Sequence, residues 1–199
     1  DGTQLVLNTD TAIDVRFDAL ARAVVLHAGE IHIGTAQDRA TPARPFLVRS
    51  SNGIVRALGT HFSVRHGGTL LAPRTLVSVS QGAVEVLPAK APQAVRLVNA
   101  GQQGSFDDLG VSPLAPLAPH AGAWLRGVLI AERMPLGEVL EQVGRYRHGV
   151  IRCDPALAAM PVDGIFQLND TDRILALLQH SLPIRMTRRT RYWISVDAA

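Results

Sequence analysis

The sequence predicts a mainly β chain that ends in a smaller α+β region. Short runs in which apolar and polar residues alternate fill residues 1–107, and turn-forming residues separate them. A proline-rich stretch follows, and beyond it apolar residues recur at the three- and four-residue spacing of helices. From these observations we expect three parts in order: an all-β domain at 1–110, a linker at 111–123 and an α+β domain at 124–199.

The predicted strands of the all-β domain are short and close together. They begin at Leu5–Leu7 and end at Val95–Leu97, and the alternation marks about ten of them. Turn sequences such as Ser51-Asn52-Gly53 and Gln81-Gly82 lie between them. Because no helical pattern interrupts the strands and their spacing is irregular, the pattern is typical of an antiparallel or solenoid-like sheet without a sequence repeat.

The linker holds three prolines at three-residue spacing: Pro113, Pro116 and Pro119. Proline fixes φ and favours extended backbone, so we expect a semi-rigid spacer between the two domains. An interpretation as a proline-rich ligand for a signalling domain is disfavoured because flanking arginines are missing.

Two helices and a final hairpin are predicted in the α+β domain. The first helix starts at Pro135 and ends before Gly149, with an apolar stripe of Leu136, Val139, Leu140, Val143 and Tyr146. The second helix follows the capping sequence 169–172, and three of its residues are predicted to face the core: Ile174, Leu177 and Leu178. Strands at Ile184–Thr187 and Tyr192–Val196 then form the hairpin. The predicted order is strand–helix–strand, strand–helix–strand, strand.

Composition and charge exclude several classes of protein. The formal net charge is +3, and arginine supplies all of the 20 Lys and Arg residues except Lys90. These charges are scattered, whereas nucleic-acid binding needs a clustered basic stripe with interleaved aromatics. Cys153 is the only cysteine, so neither an intrachain disulfide nor a cysteine-based zinc cluster can form. No apolar run reaches the roughly 18–20 residues of a membrane helix.

Candidate catalytic and metal-binding groups are weakly supported. Two histidine pairs have five-residue spacing, His27 with His32 and His61 with His66, but they lack the further ligands that a zinc site requires. The sequence also lacks a phosphate-binding loop before a helix and a strand-to-helix setting for a nucleophilic serine. A glycan-binding β domain needs exposed stacking aromatics, and the nine aromatics mostly occupy core positions of the pattern. We therefore expect a binding protein that is not an enzyme and has no metal or cofactor.

Gly59-Thr60 is the one chemically unusual pair. A threonine hydroxyl can attack the preceding carbonyl when glycine permits a strained backbone, and the amide then becomes an ester. From the residues alone, an ordinary β-turn is the favoured interpretation.

Several segments resemble the FecR-type regulators, and they occur in the order of that family. They are 1–8 (DGTQLVLN), 22–33 (RAVVLHAGEIHI), 45–48 (PFLV), 58–64 (LGTHFSV), 81–86 (QGAVEV) and 97–102 (LVNAGQ). Ile33 stands where the family usually has an aromatic residue, which we expect to be a tolerated apolar exchange. The region from Trp124 to Val196 resembles the short secretin and TonB N-terminal (STN) domain.

The resemblance implies a role in cell-surface signalling. FecR-type proteins are sigma-factor regulators of the inner membrane of Gram-negative bacteria. Their periplasmic part receives a signal from the N-terminal signalling domain of an outer-membrane, TonB-dependent siderophore transducer. Regulated proteolysis then frees a cytoplasmic segment that activates an extracytoplasmic-function sigma factor. We expect this chain to be the periplasmic region, with the membrane helix and the cytoplasmic segment upstream of the Asp1-Gly2 phrase.

The resemblance also bears on the two candidate sites. Some family members cut themselves at a Gly-Thr bond, which maps onto Gly59-Thr60, so self-cleavage by an N–O acyl shift is the alternative function. For partner binding we expect the final hairpin, because arginines and large aromatics are enriched at interface hot spots. Its candidate residues are Arg185, Arg188, Arg191, Tyr192 and Trp193. A competing interpretation places Trp193 in the core and makes the arginines a solvated edge that prevents aggregation.

Overall fold

The structure, a computed structural model, describes residues 1–69, 72–190 and 192–199. It is mainly β, with 52% of residues in strands and 12% in helices, which confirms the predicted fold class. The chain folds into two compact units, Asp1–Ala121 and Gly122–Ala199. In the described ranges, no helix combines the length and the apolar character needed to span a membrane.

The first unit is one large curled sheet. Its strands are β1 (Gln4–Leu7), β2 (Ala12–Phe17), β3 (Arg22–Gly34), β4 (Phe46–Ser50), β5 (Gly53–Ala57), β6 (His61–Thr69), β7 (Ala72–Gln81), β8 (Ala83–Pro88), β9 (Arg96–Asn99), β10 (Gln102–Phe106) and β11 (Ala115–Pro116). The strand order is β11-β10-β7-β6-β3-β4-β5-β8-β9, and β1 and β2 both pair with β3. The β3–β4 pair is parallel, and all the other pairs given for this sheet are antiparallel.

The long strand β3 organises this unit because its two halves have different partners. Residues 22–28 pair with β2 and β4, and residues 29–34 pair with β1 and β6. The change occurs at Gly29, whose φ of +86° is in the left-handed region that glycine adopts readily. A side chain there would also collide with Thr11.

Alternate residues of these strands form one apolar core, as period-two patterns require. The buried members are Val24, Leu26, Ile31, Ile33, Phe46, Val48, Val55, Phe62, Val64, Val77, Val79, Val84, Val86, Val98 and Phe106. Valine dominates because its β-branched side chain suits a pleated sheet.

The proline-rich segment is integrated into the sheet, in contrast to the predicted spacer. Residues of β11 pair with β10, and the Leu117 N–H donates to the Gly101 carbonyl at 2.7 Å. Val111 forms an isolated bridge to Phe106. Proline-rich backbone is already extended, and an edge strand tolerates the missing N–H of proline, so the same residues can end a sheet.

The second unit has the predicted order of strands and helices. A 3₁₀ turn at Ala123–Arg126 precedes β12 (Val128–Pro135), α1 (Leu136–Gly144), β13 (Val150–Cys153), β14 (Pro161–Gln167), α2 (Thr171–Ser181), β15 (Ile184–Thr190) and β16 (Trp193–Ala198). β12 and β14 form an antiparallel pair. In the second sheet, of order β13-β16-β15, β16 is parallel to β13 and antiparallel to β15.

Both predicted helices form, with two local differences. α1 ends at Gly144, so Tyr146 lies beyond the helix that the apolar stripe predicted. In α2 the inward residues are Ile174, Leu175 and Leu178, whereas Leu177 is 46% exposed. At 100° per residue, Leu177 lies about 100° from the centre of that buried face. The Asp170 side chain caps α2 by accepting the Arg173 N–H at 3.0 Å.

Candidate functional site

The final hairpin presents an edge strand, β15, and a central strand, β16. In the part of the chain that the structure describes, the only strand partner of β15 is β16. Arg185 lies opposite Asp197, and Arg188 lies opposite Ile194. Arg191, one of the five predicted binding residues, lies outside the described residues.

Trp193 is on the sheet face that points away from the core. Ile194 and Val196 are buried, whereas Trp193 is 41% exposed and Tyr192 is 51% exposed. In the parallel register Trp193 lies beside Val150, which is also exposed. The interpretation of Trp193 as a core residue is therefore wrong, because strand alternation turns it outward from its buried neighbours. We call Val150 with Trp193 the aromatic face.

Arg188 is held by a carboxylate that it shares with a second arginine. The guanidinium groups of Arg147 and Arg188 each donate to Asp172 Oδ1 at 3.0 Å. Hydrogen bonding to Arg147, followed by the charge of Arg188, lowers the pKa of Asp172. Arg147 is largely buried and Arg188 is exposed, so Arg188 keeps donors that face solvent.

The backbone edge of β15 is partly covered. The Met186 N–H donates to Gln179 Oε1 of α2 at 3.0 Å. A partner strand that pairs along the whole edge would have to displace this amide. The hairpin therefore offers the aromatic face and the arginines more readily than a full edge for strand addition. The sequence pattern did not identify Gln179, Asp172 or Arg147, because each acts through a contact between separate elements.

Gly59 and Thr60 lie in the turn between β5 and β6. Gly59 has a φ of +75°, which favours glycine. The Thr60 side chain is buried, and its hydroxyl donates to the Ala83 carbonyl at 2.6 Å. The Leu58 N–H donates to both the Ala83 carbonyl and Thr60 Oγ1, at 3.1 and 3.2 Å. This network fixes the threonine hydroxyl in one direction.

The backbone of Thr60 is anchored to Thr35. The Thr60 N–H donates to Thr35 Oγ1 at 2.8 Å, and the Thr60 carbonyl accepts from the Thr35 N–H at 3.1 Å. The turn borders an open cleft of about 460 Å³, and Arg22, Asp38 and His61 also line it. The cleft therefore gives water access to the region of the Gly59–Thr60 bond, although the hydroxyl itself bonds to a carbonyl and not to a base.

The histidines do not assemble into a metal site. The rings of His32 and His61 lie 6.5 Å apart, and His27 bonds to Asp14 at 3.1 Å. His66 bonds to Thr75 at 2.9 Å, and burial lowers its pKa. Within the described ranges, no three His, Cys, Asp or Glu side chains are placed to hold a metal ion. Burial raises the pKa of the Cys153 thiol, which makes it less reactive.

Most of the first unit is similar in sequence to a known protein family. Residues 1–85 match the FecR protein family. The FecR match ends inside β8, so it includes Gly59 and Thr60 and stops before the second unit. The STN-like character of that unit remains a prediction. No curated protein sequence matches the chain.

Two crystal structures share the fold over the whole chain. Both are of a proposed anti-sigma factor from Parabacteroides distasonis ATCC 8503, at 1.65 and 2.50 Å resolution. The first has a TM-score of 0.74 at 25% identity and covers 100% of this chain and 92% of its own. The second has a TM-score of 0.73 at 24% identity and covers 100% and 91%. The chain thus resembles an anti-sigma factor in fold, including the part outside the FecR match.

Proposed function

We propose that the chain is the periplasmic signalling region of a FecR-type sigma-factor regulator. The observation that carries this proposal is the match of both units, over the whole chain, to a proposed anti-sigma factor. The FecR match of residues 1–85 supports it independently from sequence. In this role the chain is a non-enzymatic binding protein that needs no cofactor.

The proposed partner is the N-terminal signalling domain of an outer-membrane, TonB-dependent siderophore transducer. Binding passes a signal through the membrane helix of the full protein. Regulated proteolysis then releases a cytoplasmic segment that acts on an extracytoplasmic-function sigma factor. These steps follow from the family resemblance.

We place the docking site on the second unit, at the aromatic face and the arginines of β15. An exposed tryptophan beside an exposed valine supplies apolar area, and Arg185, opposite Asp197 on the same sheet face, supplies hydrogen-bond donors. Tryptophan and arginine are the residue types that most often dominate binding energy. Their position on a sheet also fixes them more firmly than a loop would.

Calorimetric titration of transducer signalling domains into the whole chain tests this site. We expect Trp193→Ala and Arg185→Ala each to weaken binding by about 1–3 kcal/mol. Arg173→Ala is the matched control, because Arg173 is an exposed arginine on α2 of the same unit. Circular dichroism confirms that each variant is folded. If Trp193→Ala binds the signalling domain as tightly as wild type, the hairpin is not the docking site. The helix α1 then becomes the next candidate.

A second candidate function, self-cleavage at Gly59–Thr60, is favoured by the positive φ of Gly59 and by the cleft that borders this turn. Thr60 Oγ1 would add to the Gly59 carbonyl carbon while the Gly59–Thr60 C–N bond breaks. The hydroxyl proton passes to the departing amine, and an ester joins the two parts. Water then hydrolyses the ester, which leaves a Gly59 carboxylate, a free Thr60 amine and a restored hydroxyl.

Mass spectrometry of the purified chain tests the cleavage. Cleavage gives two fragments that end at Gly59 and begin at Thr60. Thr60→Ser keeps the hydroxyl and loses a buried methyl group, whereas Thr60→Val keeps that methyl group, replaces the hydroxyl with a second one and loses two hydrogen bonds. Circular dichroism confirms that both variants are folded. Cleavage in Thr60→Ser and not in Thr60→Val supports the mechanism, and a single intact wild-type species rejects it.

A further inference from the structure

The edge strand β2 leaves part of the apolar face of the first unit uncovered. Among the strands of the described ranges, β2 pairs with β3 alone. Val15 lies directly opposite Val24 in this pair, so their side chains share one face of the sheet. Val24 is buried at 2% exposure, whereas Val15 is 59% exposed.

Phe17 extends the same uncovered face. It lies opposite Arg22 in the register, contacts the buried Phe46 ring edge to face at 6.3 Å, and keeps 40% of its surface exposed. Ile13, on the same face, packs against the core only in part. The outer edge of such a strand presents backbone N–H and C=O groups that can pair with another strand, and exposed apolar side chains favour that pairing.

The opposite face of β2 carries one negative and one positive charge, on either side of Val15. Asp14 and Arg16 form an exposed ion pair at 3.1 Å, and Asp14 also bonds to His27. An exposed pair between neighbours on one strand adds little to folding stability. Its arrangement does matter for pairing, because the sequence Asp14-Val15-Arg16 is self-complementary about its centre.

We propose that β2 pairs in antiparallel fashion with β2 of a second copy of this chain, about a two-fold axis at Val15. In this register Asp14 lies opposite Arg16 of the second copy, and Arg16 lies opposite its Asp14. On the other face Val15 meets Val15, and Ile13 meets Phe17. Opposite charges and apolar side chains placed directly across an antiparallel pair stabilise it.

The charges also select this register. Moving the axis to Asp14 sets two carboxylates against each other, and moving it to Arg16 sets two guanidinium groups against each other. Like charges directly opposite are destabilising. A two-fold pair is isologous and closed, so the second copy satisfies both edges without forming a fibre. The contact is small, and we expect a weak dimer that forms at high concentration.

Sedimentation equilibrium of the whole chain, over about 1–300 µM, tests the proposal. We expect wild type to pass from monomer to dimer over this range. Asp14→Arg and Arg16→Asp each set like charges opposite each other twice, so each raises the dissociation constant about tenfold or more. Arg56→Asp is the matched control: Arg56 is an exposed arginine paired with Glu85, but its strand β5 lies between β4 and β8.

An equimolar mixture of the two single variants is the decisive measurement. One variant then carries two arginines and the other two aspartates at positions 14 and 16, so only the mixed dimer has complementary charges. We expect the mixture to dimerise with about the wild-type dissociation constant. The pair within one chain is repulsive in both variants, so a purely structural role of Asp14 and Arg16 cannot produce this rescue.

Val15→Glu provides a second route if a charge variant fails to fold. Val15 is mostly exposed in the single chain, so glutamate is tolerated there, whereas two glutamates meet at the proposed axis. A monomeric Val15→Glu variant beside a dimeric wild type supports the proposal. Three results would overturn the proposal. They are a wild type that stays monomeric at all concentrations, a dimer that survives Val15→Glu, and a mixture of the two charge variants that stays monomeric. These outcomes are independent of partner docking, since the docking variants lie in the second unit.

Discussion

Gln179 covers the edge of β15 by accepting the Met186 N–H through its side-chain oxygen, at 3.0 Å. The contact joins α2 to the strand that follows it. This hydrogen bond distinguishes two modes by which a partner could dock at the hairpin. Strand addition along β15 needs the Met186 N–H, whereas contact with the aromatic face does not.

Gln179→Ala tests which mode the partner uses. We expect unchanged affinity for the transducer domain, within about twofold, because docking on Trp193 does not involve the Met186 N–H. The free energy of unfolding should fall by about 0.5–1 kcal/mol from the lost hydrogen bond. Titration calorimetry and urea denaturation measure the two effects. A clear gain in affinity would contradict face docking and show that the partner pairs with the freed edge.

Asp172→Asn should lower the stability of the second unit in a pH-dependent way. The carboxylate binds Arg147 and Arg188, which lowers its pKa below the usual value near 3.8. A lowered pKa in the folded state gives stability that is fully present above the unfolded pKa. This stability is lost as pH falls through the folded value. Because Asp172 is largely exposed, we expect a loss of only about 0.5–1 kcal/mol at pH 7.

Urea denaturation of wild type and Asp172→Asn at a series of pH values measures this effect. The difference between the two proteins should shrink below pH 4 and approach zero once the wild-type carboxyl is protonated. A difference that stays constant from pH 7 to pH 3 would mean that the asparagine disturbs packing and that the ion pairs contribute nothing.

Much of this architecture could be predicted from local patterns. The order of strands and helices in the second unit follows from period-two and period-3.6 spacing around residues such as Val139 and Ile194, because burial of one face imposes these periods. The segment 111–117 joins the sheet although its sequence predicts a spacer, because proline-rich backbone is extended both as a spacer and as an edge strand. Only tertiary contacts, such as the Leu117 bond to Gly101, distinguish the two.

The candidate sites could be predicted only in part. Gly59 and Thr60 are adjacent in sequence, so a sequence pattern identified them. Their supports, Thr35 and Ala83, come from distant strands whose pairing no local pattern specifies. The same reason applies to the shared carboxylate of Asp172.

Thr35→Val should destabilise the turn that holds Gly59 and Thr60. The substitution removes the acceptor of the buried Thr60 N–H, and an unsatisfied buried donor costs about 1–3 kcal/mol. Thr35→Ser keeps the hydroxyl and is the matched control, with a smaller loss expected. Thermal denaturation followed by circular dichroism measures both. Equal melting temperatures for Thr35→Val and Thr35→Ser would show that the hydroxyl does not anchor Thr60.

Gly82→Ala should disturb the same turn from the opposite side. Gly82 has a φ of +76°, and a Cβ atom there would collide with the Gly59 carbonyl oxygen. Gly101 has a similar φ of +80° but open space around a Cβ atom. Gly101→Ala therefore reports the conformational cost alone, about 1 kcal/mol. Gly82→Ala adds a backbone collision, so we expect it to cost at least about 2 kcal/mol. Urea denaturation of the two variants isolates the difference. If both lose the same stability, the close approach of Gly82 to Gly59 contributes nothing and the turn has room to move.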